Sequence, residues 1–128
     1  MRTYLQVRAA ASERFSRILV DEFQDTDPVQ AEIVFLLSST ADEAETWSRR
    51  RLKPGHLFLV GDPKQAIYRF RGADLATYLL VRQAVEAQFP NNILRATANF
   101  RSRGQILDHV NLCFAERLAV QEAEMLRI

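Results

Sequence analysis

Asp21 and Glu22 stand side by side directly after the apolar run Ile18-Leu19-Val20, and Phe23-Gln24-Asp25-Thr26 follows them. An acidic pair at a strand's end suits the holding of magnesium, as in folds that hydrolyse nucleotides. The apolar run fits a strand buried on both faces, as in parallel sheets, and ligands of such sheets bind beyond the carboxyl ends of the strands. The plain alternative is a polar strand end that caps the next helix. On this segment alone the two readings are evenly matched.

Two further segments concentrate chemistry. Gly61-Asp62-Pro63-Lys64-Gln65-Ala66-Ile67-Tyr68-Arg69-Phe70-Arg71-Gly72-Ala73-Asp74 is dense in groups that handle phosphates and bases. Gln65 is able to orient a water or contact a terminal phosphate oxygen, and Arg69 and Arg71 to neutralise phosphates of nucleotide or DNA. Phe70, between two cations, suits a stacked base, a contact worth about 1–3 kcal/mol. Taken alone, however, an aromatic residue is more often core. In Asn99-Phe100-Arg101-Ser102, Arg101 is placed to reach a γ-phosphate, where one arginine is worth roughly 10³–10⁵ in rate. Its plain alternative is a solvated arginine at a helix start. Phe100 either stacks on a planar base or packs across the start of the next helix.

These groups need elements to position them. Thr3 to Arg14, with Tyr4, Val7, Ala11 and Phe15 at helical spacing, reads as a helix that leads into the first strand. Asp27-Pro28 opens a second helix, as N-cap and first helical residue, with Val29, Ile33, Phe35, Leu36 and Leu37 as its buried face. Ser38 to Pro54 fits a loop, a short helix or both. Leu57-Phe58-Leu59-Val60, stopped by Gly61-Asp62-Pro63, is a second buried strand. Asp74 to Phe89 is a helix with Leu75, Leu79, Val81 or Arg82 and Val85 around one face, ended by Pro90-Asn91-Asn92. Ile93-Leu94 opens a third strand, and Ser102 caps a last helix striped by Ile106, Val110, Phe114 and Leu118. The alternation predicts an α/β fold, a parallel sheet flanked by helices.

Composition narrows the function classes. The 128 residues are 48% hydrophobic, which is ordinary for a globular domain. No run of 18 or more apolar residues occurs and the first residues lack a secretory pattern, so a soluble cytoplasmic protein with no membrane partner is expected. The single Cys113 forms no internal disulfide and reads as a small buried side chain. The net charge is +1, so binding to nucleic acid must rest on local placement of Arg and Lys. Arg49, Arg50, Arg51 and Lys53 follow Asp42, Glu43 and Glu45, a run better read as a polar face with ion pairs than as a phosphate site. His56 and His109 read as structural or solvent-facing, and Trp47 as packing on a helix or covering apolar surface.

ILVDEFQDTDPVQ, LFLVGDPKQAIYRFRGAD and NFRS together resemble motifs II, III and IV of the UvrD/Rep-type superfamily 1 DNA helicases, with wording most similar to the RecB/AddA helicase-nuclease branch. The resemblance implies a partial RecA-like P-loop NTPase fold. Residues 1–98 would then be part of the first RecA-like ATPase domain, and 99–128 a hinge and first helix toward the second motor domain. It implies that Asp21 holds Mg²⁺, mostly through water, and that Glu22 activates the attacking water. Gln24 would couple nucleotide state to the neighbouring loop, Gln65 would sense the γ-phosphate, Phe100 would stack on adenine and Arg101 would serve as an arginine finger. Phe70 falls where many relatives stack a DNA base on Trp, and Tyr68 and Arg71 would link nucleotide and DNA sites.

The implied cofactors of the parent protein are ATP and Mg²⁺. Its implied partners are single-stranded or partly duplex DNA, the remainder of the motor and a nuclease complex, in DNA repair or recombination. The sequence departs from the family in having no G-x-x-x-x-G-K-[S/T], so the Walker A strand-loop-helix is lacking. The expectation is therefore an internal helicase segment, inactive alone. The alternative is a stand-alone single-stranded DNA-binding or interaction module derived from a helicase.

Overall fold

The computed structural model describes residues 5–40 and 46–125, and the chain divides into two units, residues 1–93 and 94–128. In the first unit α1 (Leu5–Arg14), β1 (Ile18–Val20), α2 (Pro28–Ser38), β2 (Leu57–Leu59) and α3 (Leu75–Gln88) follow in order, joined by short 3-10 turns. The strands are parallel, with Ile18 opposite Leu57, Leu19 opposite Phe58 and Val20 opposite Leu59. The expected mixed α/β order and small parallel sheet are thus present. Thr3 and Tyr4, assigned to the first helix by sequence, and the acidic patch Asp42, Glu43 and Glu45 lie outside the described residues.

The helices start where the caps are. Asp27 Oδ1 accepts from the amides of Val29 (2.8 Å) and Gln30 (2.9 Å), and Pro28 opens α2 with no amide to leave unpaired. Asp74 does the same for α3: Oδ1 accepts from Ala76 N, and Oδ2 from Thr77 N and the Thr77 hydroxyl. That hydroxyl bond, followed by the opposing effect of burial and the help of the two amides, holds the Asp74 carboxyl below its usual range. α3 stops at Phe89, whose carbonyl accepts from Asn92 N at 3.0 Å.

Phe23, Ala31, Phe35, Leu52 and Val81 form the core, flanked by Val20, Leu57, Leu59, Trp47, Tyr78 and Val85. Trp47 meets Phe35 edge-on at 5.1 Å, which settles its packing role. The Ser38 to Pro54 segment resolves into a 3-10 turn at Trp47–Arg49 and an antiparallel bridge between Ser39 and Leu52. Gln88 of α3 clamps it, accepting from Leu52 N and donating to Arg50 O.

Several sequence expectations need correction. Ile93-Leu94 forms no strand: two apolar residues between Asn91-Asn92 and Arg95 are too short a run to pair, and Leu94 is 86% exposed. The strands are buried on one face only. Leu19 and Phe58, paired across the sheet, both face out, while Val20, Leu57 and Leu59 meet the core.

Val7 on α1 and Phe15 just past its end are exposed, and Arg8 and Ser12 of α1 are buried instead. Their polar groups reach across to the end of α2: Ser12 Oγ donates to Leu37 O, and Arg8 Nη2 to Thr40 O. Lys53 Nζ donates to Ser12 Oγ, which draws one cation of the Arg49–Lys53 run into this seam. On α2, Ala31, Phe35 and Leu36 are buried, whereas Val29 and Ile33 face solvent.

The second unit contains α4 (Gly104–Met125). Ser102 does not cap it. The helix begins two residues later, with Arg103 O accepting from Ile106 and Leu107, while Asn99 Oδ1 takes the amides of Arg101 and Ser102. Ile106, Val110 and Phe114 are exposed, and the Leu118 side chain lies outside the described residues. Cys113 is exposed rather than buried, with Sγ 3.7 Å from His109 Nε2 one helical turn away. His56 is buried and His109 exposed. Among the described residues no helix is long and apolar enough to cross a membrane.

Candidate functional site

β1 ends in a reversal. Val60 N donates to Val20 O and Phe23 N to Val60 O, each at 2.9 Å, so the chain beyond β1 folds back over the end of β2. The bend falls on Glu22, at φ 50 and ψ 42, the one non-glycine residue with positive φ among those described. The turn buries Phe23 in the core and leaves Asp21 and Glu22 both exposed, with Glu22 N donating to Asp21 Oδ1 at 2.9 Å.

Gln24 lies beneath this pair and is 1% exposed. Its Nε2 donates to Glu22 Oε2 at 2.7 Å, and its Oε1 accepts from Asp62 N at 3.0 Å. One buried amide therefore joins the ends of both strands. Gly61 makes room for it: a Cβ there would stand 3.0 Å from Gln24 Oε1, 3.2 Å from Tyr78 Cε2 and 3.3 Å from Gln24 N. The Tyr78 hydroxyl points to Gly61 O at 3.5 Å, and burial pushes it above its usual 10.0, with Arg82 opposing.

Asp62 then starts the 3-10 turn Pro63–Gln65, its Oδ1 accepting from Lys64 N and its Oδ2 from Gln65 Nε2, both at 3.0 Å. Glu22, Gln24, Asp62 and Gln65 thus form one hydrogen-bonded chain. Sequence reasoning places Asp62 only within a turn and misses its place in this chain. A signal exists, because Asp62-Pro63 repeats the Asp27-Pro28 pattern of a cap followed by proline.

Tyr68, Phe70 and Arg71 form a second group. The Arg71 guanidinium stands 5.1 Å from the Tyr68 ring centroid and 5.7 Å from that of Phe70. Phe70 is 79% exposed, so the core assignment favoured for an isolated aromatic does not hold. Arg69, in the same turn, is exposed. Phe100 and Arg101 belong to the second unit, where Phe100 is 96% exposed.

Among the described residues no three His, Cys, Asp or Glu side chains gather into a metal cage. Two exposed carboxylates at a strand end fit a different arrangement, a magnesium ion that keeps several waters and is shared with phosphate oxygens. The sequence holds no glycine-rich phosphate loop to complete such a site.

A parallel strand pair with carboxylates and amides at its carboxyl edge marks the chain as an α/β domain, and in open α/β sheets that edge is where ligands bind. The sequence profile of the UvrD/REP helicase N-terminal domain matches residues 1–86, and the chain belongs to that family. The chain is 40% identical over 104 residues, 81% of its length, to an ATP-dependent helicase/nuclease subunit of Exiguobacterium sibiricum. It is 36% identical over 121 residues, 93% of its length, to the exonuclease/helicase subunit RexA of Lactococcus lactis subsp. cremoris. An ATP-dependent helicase/nuclease subunit of Listeria monocytogenes serotype 4a is 36% identical over 115 residues, 88% of this chain. The matched region spans only 8% or 9% of these relatives' own length.

Proposed function

We propose that this chain is a central segment of the first motor domain of an ATP-dependent DNA helicase-nuclease subunit, in which ATP hydrolysis drives translocation on DNA. In this reading residues 1–98 belong to a RecA-like domain and 99–128 lead toward the second motor domain. The observation that carries it is the Gln24 bridge, which ties the carboxylate of Glu22 to the turn that bears Gln65. A hydrolytic site needs its water-activating base and its phosphate-sensing amide in fixed relation, because positioning supplies most of phosphoryl-transfer catalysis.

Asp21 is the residue that would hold Mg²⁺, and that ion, when bound, neutralises charge developing on the phosphates. Glu22 accepts a proton from the attacking water. Gln24 holds Glu22 and couples it to the 61–65 turn. Gln65 contacts the water or the terminal phosphate. Phe100 would stack on adenine, and Arg101 would serve as the arginine finger. Tyr68, Phe70 and Arg71 contact a single-stranded DNA base and its phosphates.

The test is DNA-stimulated ATPase activity in the complete polypeptide, which Glu22→Gln should abolish while nucleotide affinity is kept. Turnover unaffected by Glu22→Gln would defeat this reading. The exposed Phe70 and its paired arginine favour a second reading, a single-stranded DNA-binding module that needs no motor. Salt-dependent binding of an oligonucleotide by the 128-residue chain alone, weakened by Phe70→Ala, would support it.

A further inference from the structure

Gln65 is exposed, yet its amide does not present its two ends at random. Its Nε2 donates to Asp62 Oδ2 at 3.0 Å. An ionised carboxylate only accepts, so nitrogen must be the atom that faces it, and the amide oxygen is turned away. Asp62 is held in turn from two sides. Its Oδ1 accepts from Lys64 N at 3.0 Å, and its own N–H donates to the buried Gln24 Oε1 at 3.0 Å. Pro63 fixes the backbone between Asp62 and Lys64.

We propose that Asp62 is a positioning residue that sets the polarity of the Gln65 amide, so that Gln65 offers its Oε1 as an acceptor to a water molecule. The inference rests on the reading that Gln65 serves nucleotide hydrolysis. A terminal phosphate oxygen needs a donor, and Asp62 has taken one of the two Gln65 N–H groups. A nucleophilic water has a proton to donate, and an outward Oε1 receives that hydrogen bond and aligns the water. The Gln24 bridge places this acceptor and Glu22 on the same buried amide, so both groups that handle the water share one support.

Asp62→Asn separates this role from the turn itself. The new side chain keeps an oxygen for Lys64 N but puts an NH₂ where Gln65 Nε2 donated, which makes the Gln65 amide turn round. In the complete polypeptide, Asp62→Asn should lower kcat for DNA-stimulated ATP hydrolysis about tenfold, with little change in the affinity for a non-hydrolysable ATP analogue. Adding Gln65→Glu should then recover several-fold of that loss, because one oxygen accepts from the new NH₂ and the other faces outward. In the isotope-labelled 128-residue chain, the Gln65 side-chain amide resonances should move in Asp62→Asn while those of Gln24 stay, a readout that needs no nucleotide and reports an intact fold.

Wild-type kcat in Asp62→Asn, or a double variant slower than Asp62→Asn alone, would overturn the proposal, the second outcome marking Gln65 as a donor to phosphate. If Gln65→Ala leaves turnover untouched while the amide shift is seen, the catalytic role given to Gln65 fails and takes the proposal with it. If Gln65→Ala lowers turnover but the amide shift is missing, only the Asp62 inference falls.

Discussion

Gln24 Nε2 stands 2.7 Å from Glu22 Oε2, so a carboxylate that faces solvent is anchored by an amide that solvent does not reach. Gln24→Leu removes both ends of the bridge and leaves the Asp62 N–H without its partner. Loss of a buried hydrogen-bonded group costs about 1–3 kcal/mol. Urea denaturation of the 128-residue chain, followed by circular dichroism, should show that loss. A variant as stable as the parent would mean that the bridge adds nothing to the fold.

Gly61 and Gly104 make a paired test of close approach. Gly61→Ala presses a methyl group against Gln24 and Tyr78, including a backbone nitrogen that cannot give way. Overpacking of this kind costs about 1–3 kcal/mol. Gly104 has no atom within 4 Å of an added Cβ and no positive φ. There the same substitution should stabilise by about 0.4–1 kcal/mol, by restricting the unfolded chain. Thermal melts of the two variants should move in opposite directions.

Phe70→Ala should leave stability nearly unchanged, because the ring is 79% exposed, and should weaken single-stranded DNA binding by about 1–3 kcal/mol. Arg71→Ala should lower the slope of log affinity against log salt by roughly one unit. Fluorescence anisotropy with a labelled oligonucleotide in the complete polypeptide measures both. A Phe70 effect on melting with none on binding would return the ring to a structural role.

The Asp74 cap gives a pH dependence of known sign. Its carboxyl lies below the ordinary 3.8 in the folded chain, chiefly through the Thr77 hydroxyl. Its contribution is therefore complete above the unfolded value and is lost as pH falls through the lower folded value. Asp74→Ala should cost about 0.5–2 kcal/mol at pH 7, and the gap to the parent should begin to narrow as pH falls below about 4. Urea midpoints at pH 7 and pH 3 make the comparison.

What is legible in the sequence has short-range causes. Asp27-Pro28 and Asp74 announce α2 and α3, because an N-cap and its amides lie within three residues. The apolar runs announce β1 and β2. The failures have long-range causes. The buried side of α1 depends on backbone carbonyls of Leu37 and Thr40, which accept from Ser12 and Arg8 across more than twenty residues. Apolar spacing along α1 carries no trace of those partners. The motif marks the acidic pair and Gln24 as candidates, and the structure brings Glu22 and Gln24 into hydrogen-bond contact. Their junction through Asp62 depends on the reversal at Glu22, a conformation that a glutamate does not advertise. Phe70 is undecidable alone, since only the fold determines whether an aromatic ring lies inside.

The left-handed backbone of Glu22 sets selection for endurance against selection for work. A side chain held in that region costs about 1–2 kcal/mol relative to a relaxed one, and glycine and asparagine escape most of the cost. Laboratory evolution of this chain toward heat tolerance alone should collect Glu22→Gly and Glu22→Asn, each of which eases the turn and discards the carboxylate. Under the proposed function, evolution of the complete polypeptide for ATP turnover should keep glutamate there and gather its gains elsewhere.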